Sequence, residues 1–441
     1  MGDSQSRPGR RQFMTVAGSA GAALFAGAVK PARAGFQGAN DRIRMALIGS
    51  GSRGRSVTGS FLQHGDVECV AACDVYRERL DLGLQTIAKA QPGRKVEAYE
   101  DYRHILDRGD IDALLVATPD HWHHKIVIDA ISAGKDVYVE KPLSNTVERA
   151  VEALRAYRNS NRVVQVGTQQ RSMSHFQEAG QLVQEGQLGR VTHAVLQFGG
   201  SGYGSAPEQP VPVPDGLNWD LFQGPAPRRP FKQGRLRWRG WWDYGGGLIT
   251  DWGVHLTDVA LWYLGAQRTG PLLTSGVAQY VNFENPERDQ SPDAFSVSWQ
   301  YPDFVMTFTN AVVQDWEFGR QGNYFYGPNG SLLVHRAGYE LRPTQGRRGG
   351  PPPAAASTGR GATQPLQPRR VPFRDPAGGD SGSGTLAHVR DFLDCVKSRQ
   401  KPVSDLEIGF YASLPCLLAV QAIREGRSLR WDEQAAAATA S

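Results

Sequence analysis

Cysteine is scarce in this chain: Cys69, Cys73, Cys395 and Cys416 are the four thiols in 441 residues. None stands at a metal-ligand spacing, so a zinc-ribbon architecture is excluded and no metal is expected. Cys69 and Cys73 lie four apart in one apolar run, too far along an extended strand for a disulfide. All four read as small buried hydrophobes. The N-terminal apolar run is short too. Residues 16–29 form a mild Gly/Ala-rich stretch, too short to predict a membrane span, and an integral membrane protein is not expected. A basic face is also lacking, although the pI is about 9.0. Residues 1–34 carry five Arg/Lys against one Asp, and residues 342–384 carry seven Arg against Asp375 and Asp380. With a net charge of +5, the rest of the chain is slightly acidic, and nucleic-acid binding is not expected. There is no internal repeat.

What is present begins with an apolar strand over 43–48 that runs into Gly49-Ser50-Gly51-Ser52-Arg53-Gly54. A second strand over 67–73 ends on Asp74. The first glycine permits a tight turn, the second lets backbone approach a pyrophosphate, and the third lets the next helix pack closely. The helix N-terminus then offers free N–H groups to phosphates. Asp74 stands where a carboxylate accepts from an adenosine ribose and repels a 2′-phosphate, which favours NAD over NADP.

Ahead of that strand the chain reads as an address. Arg10-Arg11 precedes the weakly apolar stretch, and Ala32-Arg33-Ala34 resembles a cleavage site. Residues 1–34 are expected to be a twin-arginine signal peptide, which exports folded proteins to the periplasm or beyond through the twin-arginine machinery.

The expected fold class is α/β. Residues 41–170 alternate strands with helices over 77–90, 123–133 and 147–160, the pattern of a Rossmann dinucleotide-binding domain. Further strands are expected at 96–99, 113–118, 136–140 and 163–168. Residues 171–432 predict an α+β domain with a large, open-faced, mostly antiparallel sheet. Its strands read as 191–198, 272–283, 294–300, 304–312, 323–327 and 331–335. A Pro/Gly/Arg/Trp-rich excursion, 199–244, precedes a helix over 248–264. Residues 343–384 are Gly/Pro/Ala/Ser/Arg-rich and predict a disordered insertion. Helices at 386–399 and 405–425 follow.

Glu140-Lys141-Pro142 closes a strand at the edge where open α/β sheets bind ligands. Lys141 could exchange a proton there, with Pro142 setting the turn, or be a solvated turn lysine. Asp251 and His255 are i,i+4 on the expected helix, with Asp258 adjoining their face. The pair suits proton removal from a hydroxyl; a core histidine and a metal site stand as alternatives.

Together these motifs, with Thr118-Pro119-Asp120-His121-Trp122-His123, resemble the Gfo/Idh/MocA oxidoreductases over residues 42–432. The resemblance implies nicotinamide and substrate between the two domains. It implies Lys141, Asp251 and His255 as the catalytic group. Gly49, Gly51, Ser52, Arg53, Gly54, Asp74, Thr118, Pro119, His123, Glu140 and Lys141 would hold the cofactor. Gln170, Arg171, Asp251 and His255 would meet substrate. The tail, Phe392-Leu393-Asp394-Cys395 and Leu429-Arg430-Trp431-Asp432, looks like the exported, twin-arginine branch, and a homo-oligomer, dimer or tetramer, is expected. Trp219, Trp238, Trp241, Trp242 and Trp252 cluster near Tyr244, Arg237 and Arg239. The cluster favours sugar contact or a lid, with Trp242 and Tyr244 as substrate contacts, against core packing.

The expected activity is an exported NAD-dependent oxidoreductase. It acts on a secondary hydroxyl of a sugar or glycoside, and its nucleotide stays bound. His255, assisted by Asp251, would remove the proton, and Lys141 would stabilise the alkoxide. A redox-neutral glycosidase working by transient oxidation and elimination is the alternative. A cofactor-bearing scaffold without turnover is a third.

Overall fold

The computed structural model describes residues 42–200, 202–203, 208–281, 289–310, 321–344, 366–373, 382–435 and 437–440. The expected signal peptide and most of the expected insertion lie outside these residues.

The first sheet is built by strand–helix alternation. Strand β1 (Ile43–Ile48) feeds α1 (Ser52–Phe61), then come β2 (Val67–Cys73), α2 (Arg77–Ala90), β3 (Glu97–Tyr99) and a single turn, α3 (Arg103–Leu106). Strand β4 (Ala113–Val116), α4 (Asp120–Ser132), β5 (Asp136–Val139), α5 (Val147–Arg158) and β6 (Val164–Val166) complete it. All pairings are parallel, in the order β3-β2-β1-β4-β5-β6. The central strands are mostly apolar because helices cover both faces. The order reverses between β1 and β4, so the loops after these two strands open a crevice at their carboxyl ends.

A helix that the sequence reading missed follows, α6 (Ser174–Gln184), burying His175, Phe176, Ala179 and Val183 on one face. The second sheet has ten strands. They are β7 (His193–Phe198), β8 (Leu273–Gln279), β9 (Ala294–Gln300), β10 (Val305–Thr309), β11 (Gln321–Gly327), β12 (Gly330–His335), β13 (Gly338–Pro343), β14 (Arg369–Pro372), β15 (Leu429–Asp432) and β16 (Ala437–Ala440). Among the described residues, only β7 and β10 pair in parallel in this sheet. Within the expected insertion, Arg369–Pro372 is ordered as an edge strand against β13. Its short, largely exposed sequence needs no core of its own, since the ladder supplies its partners.

Between β7 and β8 the chain makes α7 (Trp219–Gln223), α8 (Gly247–Asp251) and α9 (Gly253–Tyr263). The helix expected over 248–264 is therefore two, divided at Trp252, which keeps near-helical angles (φ −95°, ψ −34°). Helices α10 (Gly382–Ser398) and α11 (Leu406–Glu425) finish the domain. Helix α11 is long and apolar enough to cross a membrane, and 83 % of its apolar window is buried inside the protein. Leu406, Phe410, Leu414 and Leu418 enter the core under the parallel sheet, while Ala412, Cys416, Ala419 and Val420 enter the core of the second sheet. The four cysteines are free, buried thiols.

Candidate active site

The nucleotide end of the crevice is shaped around a glycine turn. Gly49 sits at φ +93°, where an added Cβ would come within 2.6 Å of the Ala117 carbonyl. A Cβ on Gly54 would lie 2.0 Å from the Gly49 oxygen, so α1 packs directly on the turn. Gly51 differs: a Cβ there meets no atom closer than Arg79 at 3.9 Å and would project into open space. Gly49, Gly51, Ser52, Arg53, Asp74, Thr118 and Pro119 all line one cavity of about 420 Å³. Asp74 fixes the loop, accepting from Ser50 N (2.7 Å) through Oδ2 and from Tyr76 N (3.0 Å) through Oδ1. Burial raises its carboxyl above the usual range, against these two hydrogen bonds.

Segment 208–240 covers this cavity, with Leu217, Leu221, Phe222, Leu236 and Trp238 among its lining. The segment is pinned to the end of β2: Arg77 N donates to Gly216 O (2.8 Å) and Asn218 N to Val75 O (2.8 Å). A glycine turn, a buried unpartnered nitrogen on Arg53 and the Asp74 carboxyl in the cavity lining together fit a dinucleotide.

Arg53 joins this cavity to an inner cleft of about 220 Å³. Its Nε donates to Glu140 Oε1 at 2.7 Å. The inner cleft brings together Asp120, His123, Glu140, Lys141, Asp251 and His255. Lys141 Nζ donates to Asp251 Oδ1 at 2.7 Å and to its backbone carbonyl. Arg239 Nε donates to the same Oδ1 at 3.0 Å, and Tyr203 OH donates to Oδ2. Burial would raise the Asp251 carboxyl, but Lys141 and Arg239 more than offset it and hold the group ionised. Asp251 thus orients Lys141. The expected Asp251–His255 partnership shows no hydrogen bond among the described residues: the carboxylate accepts from Lys141, Arg239 and Tyr203, and acts on His255 through its charge. His255 Nδ1 is buried without a hydrogen-bond partner among the described residues. Burial, then the charges of Lys141 and Arg336, lowers its ring well below the usual histidine range and keeps it neutral.

His123 ties the two loops of the site together: Nδ1 lies 2.6 Å from Pro142 O and Nε2 2.9 Å from Thr118 O. A neutral ring can donate to only one of them. The Lys141–Pro142 peptide is cis.

Other expected contacts lie elsewhere. Arg171 is buried and donates through Nε to both oxygens of Asp258, at 2.8 and 2.9 Å, so it is an interior ion pair rather than a substrate contact. Gln170 is buried; its neighbour Gln169 faces the cleft instead. Trp242 packs in the core of the second sheet. Tyr244 joins Trp219, Phe222, Phe231 and Trp241 in a cluster internal to the excursion. Of the five clustered tryptophans, Trp238 and Trp252 reach the inner cleft. Sequence reasoning assigned no role there to Asp120, Gln169, Tyr203 or Arg336. Asp120 alone had a signal, inside the Thr118–His123 motif.

Residues 43–168 match the family profile described as "Oxidoreductase family, NAD-binding Rossmann fold", and residues 178–336 its "C-terminal alpha/beta domain". Among curated proteins, an alpha-N-acetylgalactosaminidase of Shewanella oneidensis is 38 % identical over 109 residues, 24 % of each chain. A glycosyl hydrolase family 109 protein of Saccharopolyspora erythraea is 31 % identical over 170 residues, 34 % of this chain and 37 % of that one. The chain thus spans about a quarter to a third of the length of these curated relatives. A levoglucosan dehydrogenase solved with NADH and levoglucosan superposes with a TM-score of 0.64 at 18 % identity, covering 88 % of this chain and 99 % of that one. The WlbA dehydrogenase of Bordetella pertussis, solved with NADH and UDP-GlcNAcA, gives 0.61 at 17 % identity over 89 % and 99 %. The chain belongs to the Gfo/Idh/MocA oxidoreductase family, and residues 43–168 are that family's NAD-binding Rossmann fold.

Proposed function

We propose that this protein is an exported NAD-dependent dehydrogenase. It oxidises a secondary hydroxyl of a sugar or glycoside and keeps its nucleotide between turnovers. The observation that carries the reading is the 2.7 Å contact of Lys141 with Asp251, beside a neutral His255, at the inner end of the nucleotide cavity. Bound NAD supplies the hydride-accepting ring. The loop from Gly49 to Gly54, Arg53 and Asp74 hold the nucleotide, and the Asp74 carboxyl selects against a 2′-phosphate. Lys141, aimed by Asp251, donates a hydrogen bond to the substrate oxygen as negative charge grows on it. His255 takes the hydroxyl proton. Acid–base help of this kind is worth roughly 10²–10⁴-fold. Trp238, with Arg239 over its ring at 4.3 Å, and Trp252, stacked on Phe198 with Arg336 over its ring at 4.5 Å, bound the cleft in which the sugar would sit.

Export rests on Arg10-Arg11 and the Ala32-Arg33-Ala34 site. It gives retention a reason, since free NAD is scarce outside the cytoplasm. The nucleotide then enters during folding, and two substrates reduce and reoxidise it in turn. A homo-oligomer is assigned to the exposed sheet face bearing Val277, Val305 and Tyr326. The names of the curated relatives favour a second reading, transient oxidation followed by glycoside cleavage. One experiment separates them: purify the chain without added NAD, add a sugar panel, follow absorbance at 340 nm and identify products by mass spectrometry. An oxidised sugar with bound NADH supports the dehydrogenase. A free reducing sugar without net redox change supports the glycosidase. Activity only with excess soluble NAD and sequential kinetics overturns retention.

A further inference from the structure

Three acids line the inner cleft, and two of them are matched. Glu140 accepts from Arg53, and Asp251 accepts from Lys141, Arg239 and Tyr203. The third, Asp120, is 2 % exposed, and its Oδ1 is buried with no hydrogen-bond partner among the described residues. It is the first residue of α4, directly after the N-cap Pro119, whose side chain has no acceptor to cap the helix. The turn cannot swing it away. His121 N donates to Tyr244 O (3.2 Å), Trp122 Nε1 donates to Leu221 O (3.1 Å), and His123 is held between Thr118 and Pro142. Behind it, a Cβ on Gly245 would lie 3.3 Å from Asp120 Oδ2. Leaving a buried polar group unmatched is destabilising, a cost that a ligand hydroxyl in the cleft would offset.

We propose that Asp120 is a substrate-contacting residue, whose carboxyl makes a hydrogen bond to a second hydroxyl of the substrate, next to the one held by Lys141. The chemistry selected is a polyhydroxylated ring rather than a simple secondary alcohol. The inference rests on the reading of Lys141 and His255 as the reacting end. Burial favours the protonated carboxyl here, against the nearby charges of Lys141 and Arg239, so the group can both donate and accept. A site built to bond a hydroxyl rejects an analogue that lacks it far more strongly than an apolar pocket rejects a missing methylene.

The test uses the nucleotide-loaded full chain, the sugar that it turns over best, and the monodeoxy analogues of that sugar. Asp120→Ala should lower kcat/KM for the parent sugar by about 10- to 100-fold, with bound nucleotide unchanged. The loss should vanish for one monodeoxy analogue and persist for the others. Asp120→Asn, which restores a donor and an acceptor of similar size, should recover most of the loss. Should the alanine variant not fold, Asp120→Ser repeats the comparison with a polar group withdrawn from the cleft. Calorimetric binding of the same sugars to the NADH-loaded protein reads the pattern without turnover. Sugars that bind but leave the nicotinamide oxidised would refute the dehydrogenase reading, while the deoxy pattern in binding still decides Asp120. An equal loss for every analogue, or no loss for the parent sugar, would overturn the assignment.

Discussion

The two ends of the cleft are built by different means. At the nucleotide end the recognising groups are backbone: a positive-φ glycine, an open Cα at Gly51, and N–H groups set by one carboxylate, Asp74. At the reacting end they are side chains, drawn from the ends of β4 and β5, the excursion after β7, and α8 and α9. Lys141, Tyr203 and Arg239 converge on the single carboxylate of Asp251. A backbone site is tolerant of side-chain change and sensitive to any added Cβ. A side-chain site is the reverse.

The largest effect should come from breaking the reacting end. Lys141→Ala removes the donor to the reacting oxygen and is expected to lower kcat by about 10²–10⁴-fold, with nucleotide content, read by absorbance after denaturation, unchanged. A near-normal kcat would remove Lys141 from its role. Next is the buried ion pair of Asp258 with Arg171, the residue expected from the resemblance to meet substrate. Arg171→Ala strands the buried Asp258 and should cost about 3–5 kcal/mol in denaturant unfolding, while KM for the sugar stays put. A raised KM with unchanged stability would return Arg171 to the cleft.

The two glycines sharpen the contrast. Gly51→Ala should fold normally and weaken nucleotide retention, since its Cβ points into the cavity; Gly54→Ala should damage the fold itself, where Cβ would lie 2.0 Å from Gly49 O. Thermal melts and nucleotide content, measured together, separate the two. Equal behaviour would mean that the loop moves as one piece.

The smallest effect lies far from the cleft. Asp391, whose Oδ2 accepts from Val403 N, is raised from 3.8 to about 6 by burial. A carboxyl raised on folding binds its proton more tightly in the folded chain. Stability is therefore lost as pH rises from about 4 to about 6, and the loss persists above that range. Asp391→Asn should be more stable than the parent by up to about 2 kcal/mol at pH 7 and equal to it near pH 4. Denaturant titrations at the two pH values check the sign.

The nucleotide end was legible in the sequence because its groups are contiguous: one strand, three glycines and an acidic strand end. Lys141, Asp251 and His255 were legible as local motifs, but not who partners whom. The Asp251–His255 spacing suggested a pair, and the structure gives the carboxylate to Lys141, 110 positions away in sequence. Tyr203 and Arg239 join it from an excursion with no regular period to read. The tryptophans misled for a physical reason. A large indole is as useful for closing a small core as for meeting a sugar, and Trp219 and Trp241 do the former.

Helix α11 has a mechanical consequence. One side of it belongs to the core under the parallel sheet and the other to the core of the second sheet. Swinging the two sheets apart would strip apolar surface from one side of a 20-residue helix, at about 25 cal/mol for every Å² exposed. A hinge is thereby suppressed. Substrate must enter a cleft whose floor does not move, and the part left to yield is the roof, the pinned segment 208–240. Small-angle scattering of the loaded enzyme should not change on adding sugar, while hydrogen exchange within 208–240 should.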